Sequence, residues 1–269
     1  MLKEEKKRII SDNYVMNKRQ DAKLRSSFLA SKHRTFIVAC LTGFLLLAAL
    51  YFWSPFSKVF KVAVKGNYYL RSADIQLISE LDDNSRYLLN FPWLIQRRLQ
   101  ADPYIESAKV SHLDGRVIAI EVQEKKQIGY LKDERGVVIL FADGSQTIVT
   151  NDKLYLLTNI PYVEGFTSEE QLNYYIKAMK DVDSELIDQF SEVHRYPFSY
   201  DENMLEIVMR DGNYVFVSWT GINLLEGYYL IVPSLEEDNV CLYIDDVTNS
   251  GYSSACPWAK SESAIVDEP

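Results

Sequence analysis

The distribution of apolar residues divides the chain into two unequal parts. A run of 23 residues without a charge extends from Thr35 to Ser57. Its first 19 residues, Thr35–Trp53, are long enough to cross a bilayer, because roughly 20 apolar residues in a helix span about 30 Å of hydrocarbon. Lipid offers no partners for backbone amides, so a spanning segment must be helical. The pattern predicts a transmembrane helix at residues 35–54, preceded by a tail at 1–34.

A cleaved signal peptide is the alternative interpretation of this run. Signal peptides have a shorter apolar region, of roughly 7 to 15 residues, and a cleavage site with small residues. Here the run follows 34 residues and ends in Tyr51, Phe52 and Trp53, which are residue types that favour the membrane–water interface. We therefore favour an uncleaved anchor. The first 34 residues hold ten Lys and Arg against four Asp and Glu, which predicts a cytoplasmic N-terminus.

The region directly after the run has short helix and strand patterns. Val59–Lys65 alternates as a strand does. Ser72 and Asn90 are expected to cap two short amphipathic helices. The strand patterns Ile105–His112 and Val117–Gln123 flank an Asp-Gly pair, which is a strong hairpin signal. The order strand, helix, helix, strand, strand predicts a small α+β module at residues 55–125.

Residues 126–258 are dominated by strand patterns and predict a larger, mixed β-rich domain. Strands are expected at Ile128–Lys132, Val137–Phe141, Leu205–Met209, Tyr214–Trp219 and Val240–Val247. Thr167 with Glu170 predicts a capping box at the start of one helix, and a second helix is expected around Leu186, Ile187, Phe190 and Val193. Residues 259–269 are polar, lack periodicity and are expected to be disordered.

Charge narrows the classes of partner. The chain has 29 basic and 38 acidic residues, and the tail at 1–34 accounts for ten and four of them. The part after the tail therefore holds 19 and 34, a formal charge of about −15. Such a domain is a poor candidate for binding nucleic acid, which requires neutralised phosphates. The basic tail, in contrast, is suited to anionic membrane lipid.

The sequence contains no convincing catalytic or metal-binding motif. Phosphate loops, nucleophile elbows and HExxH are absent, and the three histidines have no ligand spacing. We therefore expect no enzyme activity, no cofactor and no metal. Cys241 and Cys256 lie 15 positions apart, where either a disulfide or two free thiols are possible.

Three segments in order resemble one family of bacterial proteins. They are the strand ending Val64–Asn67, the segment Leu88–Val110 (LLNFPWLIQRRLQADPYIESAKV) and the exit Ile120–Leu131 (IEVQEKKQIGYL). The module resembles the POTRA domain of the cell-division proteins FtsQ and DivIB. The family's usual proline and alanine in the exit are replaced here by Gln127 and Gly129. The resemblance implies a single-pass protein of the cell membrane at the division septum, with its C-terminal domains outside the cytoplasm.

The resemblance also implies a binding site at the C-terminal end of the chain. In the family, a strand followed by a Ser-Gly turn forms the edge of the β domain and adds a strand from a small bitopic division protein, FtsB or DivIC, which pairs with FtsL. Val240–Val247 and Ser250-Gly251 match that pattern in part. The implied partner-binding residues are Tyr243, Asp245, Val247, Thr248 and Ser250. A covered strand with no binding role is the alternative interpretation of Val240–Val247.

Two functions follow from the sequence. The first is a non-catalytic, membrane-anchored scaffold of the divisome, binding division proteins that include the septal peptidoglycan synthase machinery. The second is a membrane-tethered exported enzyme or ligand-sensing ectodomain that acts on the cell envelope.

Overall fold

The computed structural model describes residues 35–199, 201–234, 240–256 and 258. The predicted tail at 1–34 and the expected disorder at 259–269 lie outside the described residues. Internal contacts divide the chain into two compact units. The first contains the described residues up to Lys61 together with 82–91 and 112–118, and the second contains the remaining described residues.

The first unit contains the apolar helix. In the described part of the chain, one helix is long and apolar enough to cross a membrane, namely α1 (Thr35–Trp53). A 3₁₀ turn at Pro55–Ser57 follows directly, and the Oγ of Ser54 accepts a hydrogen bond from the backbone N–H of Phe56. The predicted apolar helix is therefore present, and it ends in a hydrogen-bonded turn.

The elements of the predicted α+β module occur in the expected order. They are β1 (Lys61–Lys65), α2 (Ser72–Ile78), α3 (Pro92–Gln100), β2 (Ile105–Leu113) and β3 (Val117–Glu124). The three strands form a sheet in the order β1-β3-β2. Gly66, after β1, has φ +80°, and a Cβ there would lie 2.1 Å from the carbonyl oxygen of Val122. This position therefore requires glycine.

Both predicted helix caps in this module are wrong. Arg71, not Ser72, is the N-cap of α2, and its side chain makes no capping bond. α3 begins at Pro92, two positions after Asn90. A proline ring is tolerated at this first helical position. The side-chain amide of Asn90 instead donates to the carbonyl oxygen of Arg86, 2.9 Å away. The predicted hairpin is present, with positive φ at Gly115 and Arg116.

The rest of the second unit is built around one mixed sheet. Its strands are β4 (Gln127–Asp133), β5 (Gly136–Phe141), β6 (Gln146–Ile148), β7 (Tyr162–Glu164), β8 (Phe190–Arg195), β9 (Met204–Met209), β10 (Tyr214–Ser218), β11 (Val240–Asp245) and β12 (Ser250–Ala255). Their order across the sheet is β12-β11-β10-β9-β8-β7-β4-β5-β6. The helices are α4 (Glu169–Met179), α5 (Ser184–Ile187) and α6 (Tyr228–Ile231). The α+β fold class is confirmed.

Two predictions for this domain need correction. The N-cap of α4 is Ser168, whose Oγ accepts from the backbone N–H of Gln171 at 3.2 Å, one position after the predicted Thr167. The predicted second helix is α5 only at its start, since Phe190 and Val193 lie in strand β8. A register shift between residues 190 and 192 accommodates an extra residue, so both side chains are buried at a spacing that imitates a helix.

The sheet separates two apolar clusters at its β9–β11 end. Leu205, Val215, Val217 and Leu242 belong to the main core, in which α4 buries Tyr175 with its hydroxyl 2.7 Å from the carbonyl oxygen of Ile128. The alternate residues Met204, Phe216 and Cys241 belong to a second, smaller cluster. Because successive side chains on a strand point to opposite faces, this second cluster lies on the other face of the sheet.

Candidate protein-binding site at the end of the sheet

The last strand of the sheet differs from the predicted one. Val240–Val247 forms strand β11 up to Asp245, but β11 pairs in parallel with β10 and antiparallel with β12. The open-edge interpretation of Val240–Val247 is therefore wrong, because β11 is paired on both of its sides. The chain reverses after Asp245, with Asn249 at φ +49°, and returns as β12. The sheet edge at this end is β12.

Three of the predicted binding residues build this reversal. The carboxylate of Asp245 accepts from the backbone N–H of Val247 at 2.9 Å and from the hydroxyl of Thr248 at 2.8 Å. The hydroxyls of Thr248 and Ser250 are 2.7 Å apart. The Thr248 hydroxyl and the Val247 N–H lower the pKa of Asp245 below its ordinary value. These side chains therefore stabilise the turn, and Asp245 stays ionised rather than acting as a general acid.

Tyr243 lies in a row of stacked rings that crosses three strands. Its ring stacks on Phe216 of β10 at 4.9 Å between centroids and on Tyr252 of β12 at 5.0 Å, with interplanar angles of 12° and 14°. Both neighbours lie directly opposite Tyr243 in the strand register. Tyr252 is 65% exposed. We call Phe216, Tyr243 and Tyr252 the aromatic ladder, and it carries an exposed ring to the last strand.

A disulfide closes the same end of the sheet. Cys241 and Cys256 are bonded, with their Cα atoms 5.0 Å apart, and both side chains are buried beside Phe216. The sequence left open whether these residues form a disulfide or two thiols, and the structure shows the bond. Because Cys256 directly follows β12, the bond ties the end of the edge strand to β11.

The edge strand β12 is exposed along its whole length. All six of its residues are exposed, and no strand among the described residues pairs with its outer side. An edge strand presents alternate N–H and C=O groups that a further strand can bind. The residues that sequence reasoning missed here are those of β12 after Ser250, above all Tyr252. The two cysteines, placed almost symmetrically about the turn, were the signal for this hairpin.

A shallow cavity of about 520 Å³ lies beside the turn. Tyr243, Asp245 and Val247 line it together with Tyr252, whereas Thr248 and Ser250 do not. Val247 is 86% exposed. Asp246 also contributes to the lining and accepts a hydrogen bond from the hydroxyl of Thr220. The structure thus brings three of the predicted residues together around one exposed aromatic surface.

No metal centre is evident in the described part of the chain. Among residues 35–199, 201–234, 240–256 and 258, no three His, Cys, Asp or Glu side chains are grouped as ligands would be. The described residues at the end of the sheet offer an unpaired strand edge and exposed aromatic side chains.

Comparison with known proteins matches both the module and most of the chain. The family model described as POTRA domain, FtsQ-type, matches residues 57–125. Cell division protein DivIB of Erysipelothrix rhusiopathiae (strain Fujisawa) is 26% identical over 220 residues, which is 78% of this chain and 81% of that protein. DivIB of Listeria monocytogenes serovar 1/2a is 27% identical over 218 residues, covering 78% and 76% of the two chains.

A solved structure also matches at a lower level. The major extracytoplasmic domain of the trans isomer of DivIB from Geobacillus stearothermophilus aligns with a TM-score of 0.34 and 18% identity, over 42% of this chain and 96% of that one. A match at this level adds nothing to the assignment. The match of the FtsQ-type POTRA model to residues 57–125 and the alignment of DivIB relatives over most of the chain show that this chain is similar to the FtsQ/DivIB family of bacterial cell-division proteins.

Proposed function

We propose that this protein is a non-catalytic scaffold of the divisome that captures a partner strand along β12. Its relatives are named as cell-division proteins, and an apolar helix of membrane-spanning length precedes its outer domains. The observation that carries the proposal is the exposed edge strand β12, which holds the last ring of the aromatic ladder and is fixed at its end by the disulfide.

Strand addition explains how such an edge binds without a pocket. Main-chain hydrogen bonds to the outer side of β12 supply affinity, and side chains at alternate positions supply specificity. Tyr252 is the one large side chain on β12, and it offers an exposed ring backed by Tyr243. Aromatic anchors of this kind dominate the binding energy of many interfaces. The binding residues are therefore those of β12, together with Val247 at the adjoining turn.

The disulfide supports an extracytoplasmic position for this site. Disulfides form and persist in oxidising compartments and are rare in the cytoplasm. A buried bond between Cys241 and Cys256 is consistent with a cytoplasmic N-terminus, α1 across the membrane and β12 outside. On this topology the partner is a small bitopic division protein of the FtsB or DivIC type together with FtsL, and through them the septal peptidoglycan synthase machinery at the septum.

The proposal is tested by localisation and copurification of the full chain. A fluorescent fusion in the native host should collect at midcell and should copurify with a small bitopic protein. A matched variant, Tyr252→Ser, should reach the membrane in equal amount but retain less of that partner. A uniform distribution of the fusion around the membrane, with no copurifying bitopic partner, would contradict the proposal.

A further inference from the structure

The segments next to α1 carry large apolar side chains that no core covers. They are residues 54–61, 82–91 and 112–118, all within the first compact unit. The exposed fractions are 74% for Phe56, 73% for Phe60, 52% for Leu88, 54% for Leu89 and 49% for Leu113. Soluble surfaces seldom concentrate apolar side chains in this way unless another phase or partner contacts them. We call these five residues the juxtamembrane set.

Hydrogen bonds hold these segments against the end of α1. The backbone N–H of Ser54 donates to the carbonyl oxygens of Leu50 and Tyr51 in the helix, at 3.1 Å each. The guanidinium of Arg86 donates to the carbonyl oxygen of Ser54 at 3.3 Å and to the hydroxyl of Ser57 at 2.8 Å. Ser57 is fully buried. The loop at 82–91 is therefore fixed to the residues that leave the helix.

The hairpin at 112–118 is attached to the same residues. The guanidinium of Arg116 donates to the carbonyl oxygen of Pro55 at 2.9 Å and lies 5.9 Å and 6.0 Å from the ring centroids of Phe56 and Phe60. Arg116 has φ +64°, an uncommon conformation for a residue other than glycine. Its carbonyl oxygen accepts from the backbone N–H of Phe60 at 3.0 Å. A cation thus lies near two exposed aromatic rings, close to the helix end.

Chain length fixes how far this structure can be from the bilayer. Phe56 lies three positions after Trp53, the last residue of α1, and three residue steps span at most about 11 Å. The polar interface of a bilayer is about 5 to 8 Å thick on each side of the hydrocarbon. Arg86 and Arg116 bond directly to residues 54–57, so they lie at a similar depth.

The charges of these segments also fit a lipid surface. Lys58, Lys61, Arg86 and Arg116 oppose Asp82, Asp83 and Asp114. The segments are therefore slightly basic, whereas the part of the chain after the tail carries about −15. Aromatic and aliphatic side chains with interspersed cations are the composition that settles at the boundary between phospholipid headgroups and acyl chains.

We infer that the juxtamembrane set binds the phospholipid interface of the outer leaflet. Phe56 and Phe60 enter the boundary between headgroups and acyl chains, and the nearby cations lie among the phosphates. The membrane thereby holds the first unit at the bilayer surface instead of leaving it on a free tether. This inference depends on α1 spanning the membrane and not on partner capture at β12.

The test measures lipid contact at single positions in the full chain. A Cys40→Ser background, with the buried disulfide intact, receives Leu89→Cys or Phe60→Cys, and each cysteine is labelled with the environment-sensitive fluorophore NBD. Ile148→Cys is the matched control, because Ile148 is 49% exposed and lies in strand β6. The purified protein is placed in phosphatidylcholine nanodiscs, with and without lipids that carry a nitroxide near the headgroup.

We expect the labels at positions 89 and 60 to show blue-shifted emission and strong loss of emission with nitroxide lipid. The label at position 148 should emit as in water and lose little. Water-like, unquenched emission at positions 89 and 60 would overturn the inference. Blue-shifted but unquenched emission would also overturn it, since protein rather than lipid would then cover these residues.

Discussion

Removing the bond between Cys241 and Cys256 should release the edge strand β12 while the rest of the sheet stays folded. All six residues of β12 are exposed, so little apolar burial holds this strand. What remains is its ladder with β11 and the disulfide at its end. The perturbation is reduction of the native protein or, in parallel, the double variant Cys241→Ala with Cys256→Ala.

The sequence separation of the bond sets the size of the effect. A separation of 15 residues corresponds to about 3 kcal/mol in the chain-entropy relation. Because about 1.4 kcal/mol is a factor of ten, the opening equilibrium of β12 should rise roughly 100-fold. The main core includes Leu242 of β11 but no residue of β12, so the loss should stay local.

Hydrogen exchange followed by mass spectrometry measures this opening. On reduction, the amides in peptides covering 250–255 should exchange roughly 100-fold faster, in proportion to the opening equilibrium of β12. The exchange rate of peptides covering β6, at the other edge of the sheet, should not change. The variant Cys40→Ala, which alters the free cysteine in α1, is the control and should exchange as the native protein does. Unchanged exchange in β12 on reduction would show that the disulfide does not hold the strand, and simultaneous loss of protection in β6 would show that the opening is not local.

Two further predictions concern the second unit. Gly129→Ala should destabilise the protein by about 1 to 3 kcal/mol, because the added Cβ would lie 2.5 Å from Val163 Cγ2. The control Gly227→Ala places its Cβ in open space and should cost less. Equal unfolding midpoints of the two variants in denaturant would contradict this prediction. Burial raises the pKa of Glu124 above its ordinary 4.5, although two backbone N–H groups donate to its carboxylate. The stability that Glu124 contributes is therefore fully present below pH 4.5 and is lost as the pH rises through the pKa of Glu124 in the folded state. Over that pH range, the unfolding free energy of the Glu124→Gln variant should fall less than the unfolding free energy of the native protein.

Patterns of period two and uninterrupted apolar length were sufficient to predict most of the fold. The apolar run predicted α1, and alternation predicted strands such as β4, β5, β9 and β10 close to their observed bounds. Within β11, Val240, Leu242 and Ile244 pack in the main core, whereas Cys241 and Tyr243 pack in the second cluster, as the alternation of side chains along a strand requires. These features depend on the residue types within each segment and not on contacts with distant parts of the chain.

The errors arose where pairing, not local pattern, decides the structure. A bulge in β8 gave buried residues a helical spacing, and β12 has too few apolar side chains to be recognised as a strand. Its six residues, Ser250–Ala255, are ordered by the ladder with β11 and by a disulfide that one sequence leaves undecided. Gly129 is required by the close approach of Val163, a contact that only the folded sheet reveals.

A pair of proline variants in β12 tests whether the outer side of this strand binds a partner strand. Adjacent N–H groups of a strand point to opposite sides, so of Tyr252→Pro and Ser253→Pro one removes an outward amide and the other an amide paired with β11. Stability and hydrogen exchange of the sheet identify which is which. We predict that the variant with an intact sheet no longer copurifies the bitopic partner from cells. Full retention of the partner by that variant would contradict the claim.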